Sequence, residues 1–305
     1  MTENKQKYLL PSGFKDYLWD DAEAEFAALV VLLDNFSDAG YRKISPPAIE
    51  FDGADEIGAA AQKFKFIDPI SQSSISLRSD ITPQISRIAI SRLKSQELPL
   101  RLCYYGDIFQ INPINIQGDR QLKQVGLELI TADLSAEYDI EVLRLAIESL
   151  TKLGLKNLTI DLNTPNLVKS LDEDYSAEIL EALSKKELAK LPAKLRRLTE
   201  FSGTADKAFL ALNEDLSAKA IAQIEYVQQV YNGLKALNLP AQYTIDFVEN
   251  RSSSYQEKLS FSIFSPNVRG VVGRGGRYKT AKSTGGLHAT GFSLYLNNFL
   301  SVIEG

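Results

Sequence analysis

Gln124, Gly126 and Glu128 fall two residues apart, so on a strand their side chains share one face, a glutamine and a glutamate flanking a position with no side chain. Such a pair either lines a polar pocket suited to a cationic or hydrogen-bonding ligand or lies on a solvated face. A second group, Arg78-Ser79-Asp80-Ile81-Thr82, clusters charge and hydroxyls where a strand gives way to a helix; it could hold a ligand amine or simply cap the helix. A third, Gly270-Val-Val-Gly273-Arg274-Gly275-Gly276-Arg277-Tyr278, sets glycines beside Arg274 and Arg277. Backbone N–H groups exposed by glycine, with two cations, could cradle a phosphate. The spacing fits neither the Walker pattern nor the dinucleotide fingerprint, and a tight turn between strands is the competing reading.

Other chemistries are narrowed by what is scarce. The sequence holds one histidine, His288, and one cysteine, Cys103. Zinc sites built on several histidines or cysteines are therefore excluded, any Ser-His-Asp triad would have to run through His288, and no internal disulfide can form. Cys103 sits in the apolar run Leu102-Cys103-Tyr104-Tyr105 and reads as a buried structural thiol; His288 reads as a polar loop residue. No metal and no cofactor is expected. With 44% hydrophobic and 24% charged residues over 305 positions, the chain can bury one large core or two smaller ones, and its formal net charge of -5 carries no global basic footprint for nucleic acid. The polar start leads to no apolar signal segment, and nothing approaches the roughly 18 apolar residues of a membrane span, so a cytoplasmic protein is expected.

The elements that must position these residues follow from periodicity. Segment 20–38 has helical spacing and closes at Gly40, 74–78 alternates with period two, and Thr82-Pro83 reads as the N-cap and first position of a helix running to about Leu93. Segments 100–111 and 122–130 read as a long antiparallel hairpin around a turn-rich connection. A helix carrying Ile140, Leu143, Ile147 and Leu150 on one face stops at Gly154, and a strand follows at 158–162. From 164 to 240 the chain turns to Ala, Leu, Lys and Glu with helical spacing, which predicts a helical insert; alternation returns in Tyr243-Ile245-Phe247 and Leu259-Phe261-Ile263. The expected class is α+β, an antiparallel sheet flanked by helices, made by 1–163 and 241–305 with the insert 164–240 between them.

Taken in order, Leu10-Pro11-Ser-Gly13-Phe-Lys-Asp16, Gly40-Tyr41 to Pro46-Pro47, Tyr105-Gly106-Asp-Ile-Phe109, Gln124-Val-Gly126-Leu-Glu128 and Gly273-Arg-Gly-Gly276-Arg277-Tyr278 resemble histidyl-tRNA synthetase over most of the chain outside the insert. Within that superfamily, Arg78-Ser-Asp80-Ile-Thr82-Pro83-Gln84 looks more like the regulatory subunits of ATP phosphoribosyltransferase than the Arg-Pro-Glu-Gly-Thr form usual in the synthetase. The resemblance implies a class II aminoacyl-tRNA synthetase-like sheet of six or seven antiparallel strands and dimerisation through the first motif. Two departures bear on chemistry. Gln110 stands where the family has an arginine on the ATP α-phosphate, and Asn298 where the third motif has a nucleotide-contacting arginine. Charge-assisted hydrogen bonds contribute roughly 1.5–3 kcal/mol each, so two such losses weaken ATP binding by a factor on the order of 10² to 10⁴. The chain also ends soon after the third motif, and no anticodon-binding domain and no tRNA partner are expected.

The same resemblance implies histidine-contacting roles for Asp80 and Thr82 (α-amine), Gln124 (amine and carboxylate side), Glu128 (imidazole), and Arg251 with Tyr255; the family's second tyrosine is Gln256 here and its glycine after the arginine is Ser252. Arg120, Arg274 and Arg277 remain as anion candidates. The implied function is a non-catalytic regulatory subunit that binds the short-form catalytic subunit of ATP phosphoribosyltransferase, as a homodimer within a larger hetero-oligomer, with histidine as effector. An enzyme that adenylates an amino acid for a non-tRNA acceptor is the alternative; a plain interaction scaffold is a third.

Overall fold

A computed structural model describes residues 8–53, 63–113, 115–165, 167–171, 175–248, 256–280 and 286–303. In chain order the first half comprises α1 (Trp19–Asp38), β1 (Arg42–Lys43), β2 (Ile49–Phe51), β3 (Lys65–Ile67), β4 (Ser74–Leu77), α2 (Thr82–Ser91), β5 (Leu100–Phe109), β6 (Gln121–Thr131), α3 (Ala136–Lys152) and β7 (Leu158–Asn163). A mostly helical stretch follows: α4 (Leu167–Ser170), α5 (Ala177–Ser184), α6 (Ala193–Glu200), β8 (Gly203–Thr204), α7 (Ala205–Ala208) and α8 (Ala218–Ala236). The chain then returns to strands in β9 (Ala241–Ile245), β10 (Gln256–Phe264), β11 (Gly273–Lys279) and β12 (His288–Tyr295), and closes with α9 (Leu296–Ile303).

Nine strands form one sheet in the order β1-β5-β6-β12-β11-β10-β7-β9-β8, and β2-β4-β3 make a small second sheet. The expected antiparallel core is there, six strands wide from β5 to β7, and both halves of the sequence contribute to it. The sheet is wider than the six or seven strands expected, because β1 adds to β5 in parallel, β9 adds to β7 in parallel, and two-residue β8 pairs with β9. A parallel pair needs a crossover of a dozen residues or more. Segment 164–240 is that crossover: it leaves the end of β7 and returns at the start of β9.

The two faces of the sheet are built differently. On one face α1, α3, α8 and α9 pack through Leu32, Phe36, Val142, Ile147, Val227, Leu234 and Phe299, against Val125, Leu127, Phe261, Ile263 and Leu294 of the strands. Burying each large side chain contributes about 1.5–3 kcal/mol, so this face holds most of the fold. The helices are punctuated as the sequence implies: Ser135 Oγ accepts from the Glu137 N–H at the start of α3, and Gly40 adopts a positive φ after α1. On the opposite face a smaller cluster joins α2, through Ile81, Ile85 and Ala89, to Leu102, Tyr104, Ile108 and Leu122 at the β5–β6 end; beyond it the sheet surface is polar and glycine-lined.

Three local expectations change. Thr82 is the first residue of α2 rather than its cap, Ile81 holds the capping position, and the Thr82 hydroxyl faces Tyr104 instead of closing the helix. The segment from Gly273 onward is neither a phosphate loop nor a turn but the strand β11. His288 opens β12 rather than sitting in a loop, with Nδ1 3.3 Å from the Glu257 carboxylate. Cys103 is buried, as expected, and loss of hydration pushes its thiol up to about 11.

Candidate functional site

Strand alternation brings Gln124, Gly126 and Glu128 to the polar face of β6, where their neighbours across β12 are Tyr295, Ser293 and Gly291. The next strand, β11, presents Arg274, Gly276 and Tyr278 on the same side. Of these, Glu128 and the named residues of β12 and β11 line a cavity of about 210 Å³, together with Asp80 and Thr82 at the head of α2 and Asn163 and Ser260 from β7 and β10. That is below the ~300 Å³ at which clefts for drug-sized ligands begin, and suits a ligand the size of an amino acid.

Glycine makes the floor low enough for this. A Cβ at Gly291 would lie 2.2 Å from Glu128 Oε2 and 2.3 Å from the Leu127 carbonyl oxygen. One at Gly126 would meet the Phe292 carbonyl oxygen at 2.2 Å and the Tyr104 hydroxyl at 2.7 Å. The glycines of β11 and β12 thus serve close approach within a sheet, which is why they read as turn formers in sequence yet sit in strands.

A hydrogen-bonded frame fixes the cavity's wall. Gln124 Nε2 donates to Asp80 Oδ1 (2.8 Å) and to Ser293 Oγ (2.7 Å), while Gln124 Oε1 accepts from the Ile81 N–H (2.9 Å). The Thr82 N–H also donates to Asp80 Oδ1 (3.1 Å). The Tyr104 hydroxyl lies 3.1 Å from Thr82 Oγ1 and 2.9 Å from Ser293 Oγ. The Gln124 amide is therefore committed to Asp80, Ser293 and the Ile81 N–H, and it holds the Asp80 carboxyl in place. Tyr104, Tyr278, Ser293 and Tyr295 were not singled out as site residues from the sequence; the registers Tyr104 opposite Gly126 and Ser293 opposite Gly126 bring them in, and only strand pairing supplies those registers.

Electrostatically the pocket is acidic inside. Burial raises Asp80 above the usual carboxylate range, opposed by its hydrogen bonds from Gln124 and Thr82. Glu128, 1% exposed, is pushed up to about 8, chiefly by burial and further by the Asp80 charge, although the hydroxyls of Thr82, Tyr278 and Tyr104 favour its ionised form. Its Oε2 has no hydrogen-bond partner among the described residues. Two buried carboxyls with a spare acceptor favour a ligand that brings positive charge and N–H donors. Arg274 stands exposed at the rim, where it can meet an anionic group of the same ligand.

The remaining sequence candidates divide sharply. Arg277 is not an anion site: β11 alternation turns it to the helix face, where it is fully buried, pairs with Asp139 of α3 at 3.0 Å and donates to the Ser135 carbonyl (2.8 Å). Arg120 donates to the Gln110 and Ser12 carbonyls and stacks over the rings of Phe14 and Phe64, so its cation is already held. Arg78 is a strut as well, donating to the Asp107 and Pro46 carbonyls. Gln110 Nε2 donates to the Ser79 carbonyl (2.7 Å); Asn298 donates to the Val271 carbonyl (2.8 Å) and accepts from Asn115 (3.1 Å). Both amides are tied into the fold. Arg251 and Tyr255 lie outside the described residues. No group of three or more metal-ligating side chains occurs among the described residues, and no described helix is long and apolar enough to cross a membrane.

Comparison with known proteins bears on the family and the fold. The histidyl-tRNA synthetase family profile matches residues 13–299. An ATP phosphoribosyltransferase regulatory subunit from Paramagnetospirillum magneticum is 37% identical over the whole chain and 84% of its own length, and one from Rhodospirillum centenum is 37% identical over 97% of the chain and 81% of its own. Among solved structures, an ATP phosphoribosyltransferase regulatory subunit/histidyl-tRNA synthetase from Bacillus halodurans superposes with a TM-score of 0.86 at 21% identity, covering 98% of this chain and 83% of that one. A histidine-tRNA ligase subunit from Alicyclobacillus acidocaldarius gives 0.78 at 22% identity and 97% coverage of both. These two show a shared class II fold, and with the sequence relatives they establish that the chain belongs to the histidyl-tRNA synthetase-like family of ATP phosphoribosyltransferase regulatory subunits.

Proposed function

We propose that this chain is the non-catalytic regulatory subunit of ATP phosphoribosyltransferase, required for the activity of the short-form catalytic subunit and for feedback control by histidine at the first step of histidine biosynthesis. The observation that carries the reading is the asymmetry of the synthetase-like site. Its amino-acid end keeps Asp80, Thr82 and Glu128 around a cavity of matching size, while Gln110 and Asn298 are locked in internal hydrogen bonds at the nucleotide end. Adenylation needs cations where charge builds up in the transition state. Neutral amides already bonded to backbone carbonyls supply none.

Histidine is the effector proposed for the pocket, its ammonium toward Asp80 and Thr82, its ring toward Glu128 and its carboxylate toward Arg274. It regulates to the extent that it binds one quaternary state better than another, and a coupling of 1–3 kcal/mol corresponds to roughly 5–150-fold in affinity. A homodimer within a larger hetero-oligomer with the catalytic subunit completes the proposal; the exposed Trp19 and Phe26 of α1 and Ile49 and Phe51 of β2 supply apolar surface for such contacts.

The test is phosphoribosyl-ATP formation by the short-form catalytic subunit, with and without this chain, across a histidine titration. The expected result is a rate increase and histidine inhibition that both require this chain, which alone shows no histidine-dependent pyrophosphate exchange. Pyrophosphate exchange by the chain alone would favour the adenylating-enzyme reading instead.

A further inference from the structure

The acidic end of the cavity has a counterpart two strands away. Across the sheet, the registers set Ser262 of β10, Arg274 of β11 and Ser293 of β12 in one row, with Gly126 of β6 beyond them. Neighbouring strands lie about 4.8 Å apart, so the Arg274 backbone stands roughly 10 Å from β6. The alternation that turns Arg277 to the helix face turns Arg274 to the cavity, where it is the only cation lining it among the described residues. Arg78, Arg120 and Arg277 are each held by carbonyls, rings or a carboxylate of the fold. Arg274 has no hydrogen bond or ion pair among the described residues, and neither do the hydroxyls of Ser262 and Tyr295, which line the same cavity. The acid in this row, Asp161 of β7, is two strands from Arg274 and accepts from the Thr244 hydroxyl (2.5 Å). Tyr295 lies between the two ends: Asp80 and Arg274 are the charges that act on its phenol, and they act with opposite sign.

We propose that Arg274, with the hydroxyls of Ser262 and Tyr295, forms a carboxylate subsite, and that Arg274 makes the pocket specific for a free α-amino acid over the corresponding amino alcohol or amide. The inference rests on the histidine reading of the pocket and adds to it the side chains that demand an intact acid group. A lone cation and two hydroxyl donors without acceptors stand at one end, and acidic side chains at the other. That arrangement complements a zwitterion whose ammonium points to Asp80 and whose carboxylate points to Arg274. The guanidinium offers a planar fork of N–H donors that a carboxylate fills with two charge-assisted bonds; a hydroxymethyl or carboxamide group brings no charge to it. At an exposed rim, where solvent weakens the pairing, this is worth about tenfold in affinity. The amino alcohol and the amide also lack the negative charge that offsets their ammonium, so Arg274 repels them where it attracts the acid.

Titration calorimetry of histidine, histidinol and histidinamide into the full chain, alone and in its complex with the catalytic subunit, tests the assignment at physiological salt. The native chain should prefer histidine to histidinol by about tenfold or more. Arg274→Gln should lose about tenfold in histidine affinity while histidinol binds as well as before or slightly better, so that the preference collapses. Arg274→Lys keeps the charge without the fork and should fall between the two, and it stands in for the glutamine variant if that one fails to fold. Tyr295→Phe should weaken histidine more than histidinol, by a smaller factor than Arg274→Gln. An Arg274→Gln chain that loses both ligands equally, or that keeps the preference for the acid, overturns the subsite while leaving histidine binding standing. No histidine binding by the native chain, alone or in the complex, removes the histidine reading and this proposal together.

Discussion

Asp139 and Glu128 are buried acidic side chains separated by the thickness of one sheet, and adjacent residues of β12 touch them: Thr290 donates to Asp139 on the helix face, while Gly291 leaves room for Glu128 on the other. Asp139 is fully satisfied. Arg277 forms an ion pair with it, and the hydroxyls of Tyr226 and Thr290 donate to its oxygens. Glu128 has hydroxyls nearby, a like charge instead of a cation, and an oxygen left without a partner among the described residues. The first arrangement spends its polar groups on one another and can only hold structure. The second leaves a requirement unmet inside the fold, which is the mark of a binding site in the function proposed above.

Breaking the satisfied side should have the largest effect. Arg277→Met removes the cation and leaves Asp139 charged and buried, which should destabilise the fold by about 3–5 kcal/mol, read as a drop in the urea midpoint at unchanged slope. Adding Asp139→Asn should recover part of that loss, because the stranded charge goes with it. If Arg277→Met unfolds at the native midpoint, the pair is not what holds α3 to β11.

The unsatisfied side should behave in the opposite sense. Folding raises Glu128 from the ordinary carboxylate value to about 8, so the group costs stability progressively as pH rises from about 4.5 toward 8. The sign is fixed by proton binding: over that window the folded chain retains a proton that the unfolded chain has lost. Glu128→Gln should therefore stabilise the protein by as much as about 3 kcal/mol at pH 7, with little change near pH 4, while weakening histidine binding. Stability curves at the two pH values check both the size and the sign. A variant less stable than native at pH 7 would mean that Glu128 is a structural group like Asp139.

Gly291→Ala tests the space between the two acidic side chains. Its Cβ would collide with Glu128 Oε2 and with the backbone oxygen of Leu127, which cannot rotate away. Overpacking of this kind costs about 1–3 kcal/mol, and histidine affinity should fall with it because the methyl enters the cavity floor.

The sequence already carries much of one side of this comparison and little of the other. Period-two spacing puts Gln124, Gly126 and Glu128 on one face, and that face is where the pocket lies. The resemblance supplies Asp80 and Thr82, although their frame through Ser293 and Tyr104 depends on strand register. Arg277 misleads because its partner is 138 residues away and on the opposite face from Arg274, three positions earlier in the same motif. Glycine content misleads at β11 for a related reason: glycine marks close approach as well as turns, and what approaches Gly275 is Gly291's carbonyl oxygen and the ring of Phe261, both distant in sequence. Local spacing reports a face; it does not report what stands across from it.

The smallest expected effect lies at the nucleotide end, where the polar groups are spent as fully as those around Asp139. Asn298→Ala removes the donor to the Val271 carbonyl and the acceptor for Asn115, and should cost about 1–2 kcal/mol of stability while leaving histidine affinity unchanged. Gln110→Arg combined with Asn298→Arg makes the sharper test, since it restores the family's charges without the space they need. Asn298 is buried against a carbonyl and Gln110 lies against the Ser79 backbone, so two guanidiniums would have to break these contacts before reaching a triphosphate. Histidine-dependent pyrophosphate exchange should remain absent from the double variant. Its appearance would mean that the nucleotide end is merely uncharged rather than filled, and that the difference between the two ends of the pocket rests on two side chains alone.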